Sequence, residues 1–138
     1  MAAEGLTTIK SHFGPKDTMN RLEAEVKVRG LTVFAHIDHA AGAVAVGLPL
    51  RPTDLLIFGN AKGGTPLMQS AQTIGIDLPL KVLVWQDAEG STWLSYNDPA
   101  WLARRHAAHA GGADYGNRPA AEGAGLAGRL GQDMAVVQ

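Results

Sequence analysis

The sequence predicts an α+β domain: a mixed, four- to five-stranded sheet with helices covering mainly one face. Three observations lead there. Short runs rich in β-branched and apolar residues recur at 6–11, 31–38, 54–60, 80–86 and 91–96. Between them lie segments of helical period. The resulting order, β-α-β-(short α)-β-α-β-β-α, alternates strands with helices and then closes on a hairpin. Crossover helices favour some parallel pairing, and the 80–96 hairpin adds an antiparallel pair.

The first strand is LTTIKS (6–11), broken by Ser11-His12-Phe13-Gly14. Pro15 suits the first helical position, where its missing N–H would have no partner anyway. KDTMNRLEAEVKV then places Met19, Leu22 and Val26 on one helical face, and Glu23 can pair with Lys27 at i, i+4. Gly30 is a natural stop. In LTVFAHID (31–38), Leu31, Val33, Ala35 and Ile37 should face one way and Thr32, Phe34, His36 and Asp38 the other. HAAGAVAVG (39–47) suits one or two helical turns, and LPLRPT (48–53) an extended connector. DLLIFGN (54–60) reads as a central strand.

Gly63 and Gly64 then make a flexible entry to a helix capped by Thr65, with Pro66 first and Leu67, Ala71 and Ile74 on one face. LKVLVWQ (80–86), the turn DAEG and STWLSY (91–96) form the hairpin. Asn97 or Asp98 caps a last helix that begins at Pro99. These elements give one domain over 6–106. From Ala107 to Gln138, Ala and Gly dominate, and an extension is expected.

Composition narrows the function classes. The chain has 138 residues, 46% hydrophobic and 18% charged, which fits one packed core. A net charge of -1, with no basic stripe interleaved with aromatics, argues against nucleic acid as a partner. There is no cysteine, so disulfides, thiolate catalysis and cysteine-held metal clusters are excluded. No run approaches the roughly 18 apolar residues that a membrane span needs. No membrane partner is therefore expected, and a cytoplasmic protein is.

Three segments in order, GLTVFAHIDHAAGA (30–43), LLIFGNAKGGTPLMQ (55–69) and IDLPLKVLVWQDAEGSTWLSYNDPAWLA (76–103), resemble the bacterial domain of unknown function 302 family. The likeness covers about residues 6 to 106 and rests on the combination of motifs. It implies an α+β fold, often a homodimer, found alone or fused to other modules. It implies no activity. Where another branch of the family has cysteine-containing loops, this chain has Gly59-Asn60-Ala61-Lys62-Gly63-Gly64-Thr65-Pro66.

Two constellations carry the most chemistry. His36, Asp38 and His39 sit at the end of a strand. Asp38 can orient His39 as a general base, and His36 can join them as a metal ligand. The simpler alternative is that Asp38 caps the following turn. In the second, Lys62, Gly63, Gly64 and Thr65 offer backbone N–H groups and positive charge to an anion at a helix start. There the simpler alternative is an ordinary capped turn. If strands 31–38 and 54–60 are parallel neighbours, Asp38, His39, Lys62 and Thr65 line one pocket at a shared sheet edge.

Other candidates weigh less. Tyr96-Asn97-Asp98-Pro99 reads as a hairpin exit and helix cap. His106 and His109 are too few for a metal site and read as surface or interface residues. Trp85, Trp93 and Trp101 read as core or interface anchors. Three functions follow: a homodimeric domain binding or sensing a small anionic molecule; a small hydrolase or isomerase using Asp38 and His39, with or without a metal; or an interaction domain with no small ligand. The sequence specifies no cofactor.

Overall fold

The computed structural model describes residues 3–108. Their elements are β1 (Leu6–Ser11), α1 (Pro15–Val28), β2 (Thr32–Asp38), α2 (His39–Ala45), β3 (Thr53–Gly59), α3 (Ala61–Ser70), a 3-10 turn (Gln72–Ile76), β4 (Leu80–Gln86), β5 (Thr92–Asn97) and α4 (Pro99–His106). The α+β class and the five strands are as the sequence predicts. The residues from His109 onward, with most of the expected extension, lie outside the described part.

The strands form one sheet in the order β1-β5-β4-β3-β2. Every pairing is antiparallel, which corrects the expected parallel pairs. The reason lies in where the crossover lands. β1 and β2 run the same way, but α1 carries the chain across the sheet from one edge to the other, so they never meet. The α2 and α3 excursions instead return the chain at the end of the sheet where it left, as a hairpin does.

α1 opens at Pro15 and closes at Gly30, whose φ of +74° suits glycine. The Leu31 N–H bonds back to the Val26 carbonyl at 3.0 Å, a helix-stop contact. Met19, Leu22 and Val26 pack on Leu56 and Phe58 of β3, Val82 and Val84 of β4, and Leu94 and Tyr96 of β5. A second cluster joins Leu67, Ile74, Leu102 and Ala108. Its helices connect at the sheet end where β3 and β5 finish and β4 begins. There Gly5, at φ +74°, leaves no room for a side chain: a Cβ would lie 2.3 Å from the Trp101 ring.

Two local expectations change. β2 carries a bulge between Val33 and Ala35, so its alternation slips by one residue. Val33 opposite Phe58 and His36 opposite Leu56 then share the α1 face, while Ala35 and Ile37 turn to the other. The helix after β3 starts at Ala61 with Asn60, not Thr65, as its cap. It ends at Ser70 because Ala71 is extended, at φ -143° and ψ 97°. Leu67 and Ile74 are buried as their spacing predicts, but they belong to two separate helical pieces.

Candidate functional site

Asp38 and His39 lie where β2 passes into α2, and both are exposed. Asp38 Oδ1 accepts the Ala41 N–H at 2.8 Å, so this carboxylate caps α2. The Lys62–Thr65 turn is at the other end of the sheet. Asn60 Oδ1 takes the Gly63 N–H at 2.6 Å, and the Asn60 carbonyl takes the Gly64 N–H at 3.1 Å. Those two amides are occupied by the chain itself. Antiparallel pairing of β2 with β3 puts the two loops about 20 Å apart, the length of a six- or seven-residue strand. The shared pocket expected from parallel strands therefore does not form.

His36 is drawn away from Asp38 and His39 instead. Its Nδ1 lies 3.2 Å from Glu23 Oε1 on α1, and its Nε2 3.1 Å from Asp54 Oδ1 on β3. Glu23 thus reaches across to β2 rather than only along its own helix. The cluster is solvent-facing, with the His36 side chain 40% exposed, and it ties the edge strand to the helix layer. Among the described residues, no three His, Asp or Glu side chains converge as metal ligands.

The sheet face away from α1 is the feature that motif reading did not foresee. The register places Ala35 and Ile37 of β2, Leu55 and Ile57 of β3, Leu83 and Trp85 of β4, and Trp93 of β5 together on it, with Lys81 beside Ile57 and Lys10 beside Trp93. On the α1 face Leu56, Val82, Val84 and Leu94 are fully buried. Their chain neighbours Leu55, Leu83, Trp85 and Trp93 are only partly so. Ile37, together with Phe34 at the bulge, is exposed. Six of the nine exposed large apolar side chains among the described residues fall in 34–50: Phe34, Ile37, Val44, Val46, Leu48 and Leu50.

Polar groups brace this face. Trp85 stacks on Trp93 with ring centroids 6.3 Å apart. Trp85 Nε1 donates to Ser95 Oγ at 2.9 Å, and Ser95 in turn bonds Thr8 across the β1–β5 pair at 2.8 Å. Trp93 Nε1 donates to Asp87 Oδ2 at 2.8 Å, and this bond, the largest influence, holds the Asp87 carboxyl below its usual range. The indoles are thus fixed in place rather than free to fold inward. The near-continuous apolar runs in 54–60 and 80–86 are the usable signal: apart from Asp54 and Lys81, both faces of these strands are mainly apolar, and α1 covers only one.

A third group joins the 3-10 turn to α4. His106 Nε2 lies 2.5 Å from Asp77 Oδ2 and its Nδ1 2.9 Å from Thr73 Oγ1. Arg105 holds both Asp77 oxygens at 3.0 and 2.8 Å. Burial pushes the Asp77 carboxyl upward, but the His106 bond and the Arg105 charge outweigh it, and the net shift is downward. His106 had read as a surface or interface residue; its ring is 10% exposed. His109, its expected companion, lies outside the described residues.

Together these features define a class, a two-layer α+β domain in which, among the described residues, α1 covers one sheet face and leaves the other more open. The family model described as domain of unknown function DUF302 matches residues 7–119, and the chain belongs to that family. A crystal structure of an uncharacterised conserved DUF302 protein from Bacillus stearothermophilus has the same fold, with a TM-score of 0.80 over 99% of this chain and 100% of that one. Its identity of 22% supports the fold alone. Among curated proteins, fluoride-specific ion channel FluC 1 of Brucella suis is 51% identical over 102 residues, 74% of this chain and 40% of that protein. FluC 2 of Brucella melitensis is also 51% identical, over 38% of its length. The chain thus spans about 40% of these relatives. No helix among the described residues is long and apolar enough to cross a membrane.

Proposed function

We propose that the domain is a cytoplasmic association module that forms a homodimer through its open sheet face. The observation that carries this reading is the contrast between the faces of β3 and β4. Leu55, Ile57, Leu83 and Trp85 are as apolar as Leu56, Phe58, Val82 and Val84, yet they lack an equal cover. Contiguous apolar surface of this kind marks an interaction site, and a two-fold dimer covers it with a copy of itself. The bulge in edge strand β2 disfavours edge-to-edge strand addition, which directs association to side chains on the face. In the longer relatives named as fluoride channels, the module would contribute such a surface to the whole protein.

Sedimentation of the wild type and of the double variant Phe34→Glu/Ile37→Glu tests this. Both side chains are already exposed, so the variant should keep the wild-type melting profile while the dimer falls to monomer. A wild type that is monomeric at every concentration sinks the reading.

A second reading, binding of a small anion, keeps support from Lys62 and Thr65, exposed on the first turn of α3 where the helix dipole is positive. Thermal melts with inorganic phosphate decide it. Stabilisation that disappears in Lys62→Ala favours the site, and an unchanged melt rejects it.

A further inference from the structure

We propose that Thr73 is an activated hydroxyl, with His106 as its base and Asp77 as the group that orients the base, able to accept an acyl group from an activated ester. The three are linked in series, by 2.9 Å from Thr73 Oγ1 to His106 Nδ1 and 2.5 Å from His106 Nε2 to Asp77 Oδ2. An ionised carboxylate can only accept, so a neutral His106 must carry its proton on Nε2. Nδ1 then holds a lone pair, and the Thr73 hydroxyl is left to donate to it. A nucleophile bonded to a base, and a base oriented by a third group, is the arrangement that activates hydroxyls elsewhere.

Placement supports the role. Thr73 is an exposed residue, while His106 and Asp77 are 10% and 15% exposed, so a sheltered base stands beside a residue that solvent reaches. Arg105 Nη1 donates to both Asp77 oxygens and helps hold the carboxylate in place. A simple clamp between the 3-10 turn and α4 needs Asp77, Arg105 and His106. It does not need the bond from Thr73. Arg105 shares the carboxylate with His106, so the Asp77 charge is divided between two partners. The proposed acyl donor is an ester with a good leaving group.

In the step itself, Thr73 Oγ1 attacks the ester carbonyl and its proton passes to His106 Nδ1. The bond from the acyl carbon to the leaving oxygen breaks, and that oxygen keeps the electron pair, takes the proton back from His106 Nδ1 and departs as the alcohol or phenol, which leaves Nδ1 free again. A new ester joins the acyl group to Thr73. Water, deprotonated by the same nitrogen, can later release the acid and restore the hydroxyl. The site is separate from the open sheet face and independent of the dimer.

The test is to treat the full chain with p-nitrophenyl acetate, following nitrophenolate release and mapping the acetyl group by peptide mass spectrometry. The expected result is an early burst with acetylation at Thr73. It should persist in Thr73→Ser, disappear in Thr73→Val and slow by about 100-fold in His106→Gln, the lower range for loss of a general base. Thr73→Val changes one exposed side chain and should melt with the wild type, so its loss of labelling is not a folding effect. Acetylation confined to lysines, no adduct at Thr73, or equal labelling of Thr73 in His106→Gln would overturn the proposal.

Discussion

Leu55 and Leu56 are neighbours in one strand and identical in chemistry, yet Leu56 is fully buried beneath α1 and Leu55 is not. The same division runs through Leu83 and Val84 on β4 and through Trp93 and Leu94 on β5. Hydrophobic content alone therefore does not say where the core is. One helix lies on one side of five strands, and that side becomes interior. The opposite side stays apolar, and its residues hold their positions through the Trp85–Ser95 and Trp93–Asp87 bonds. The proposed association rests on this apolar face being braced in this way.

The largest expected effect tests the division directly. Leu56→Ala should cost about 2–5 kcal/mol in urea unfolding, as deletions from a closed core do. Leu55→Ala in a monomeric background should cost only about 1 kcal/mol, for the partial burial it loses. Equal costs would mean that the two faces are not different. Next, Asn60→Ala should cost about 1 kcal/mol by freeing the Gly63 N–H. Thr65→Ala should cost less, which would sharpen the assignment of the cap.

Asp77→Asn probes the clamp through pH. The folded carboxyl is held below its ordinary value of 3.8. Its contribution is therefore fully present above that value and is lost as pH falls through the lower folded pKa. The stability difference between wild type and Asp77→Asn should shrink in strong acid, as read by melts across pH. The smallest effect is expected for His36→Gln. An exposed ion pair contributes about 0–1 kcal/mol, and the difference should fade further with added salt.

Much of the fold is legible in local sequence. The spacing of Met19, Leu22 and Val26 gives α1 and its buried face, and Pro99 after Asp98 marks the start of α4, where Asp98 accepts from the Ala100 N–H. What escapes local reading is anything that depends on a partner far along the chain. The crossover after β1 looks the same whether β2 lands beside β1 or at the far edge. The run LTVFAHID alternates except at Val33-Phe34-Ala35, and that one break coincides with the bulge that turns His36 toward Glu23 and Asp54. Asn60 and Thr65 are both good caps, and the choice rests on which one the end of β3 holds extended. Thr73, Asp77 and His106 come together only after two intervening strands have paired. The site legible in sequence, at Asp38 and Lys62, required a strand direction that the sequence does not determine.

The pairing of β1 with β5 has one more consequence. Leu6 stands opposite Asn97, and the Asp98 N–H bonds the Gly5 carbonyl at 2.8 Å. The start of β1 and the α4 segment that leads the chain onward, with Trp101 against Gly5 and Ala108 in the same cluster as Trp101, therefore lie at one end of the sheet. A fold with adjoining entry and exit can be spliced into another polypeptide as a pendant, without prising apart the segments before and after it.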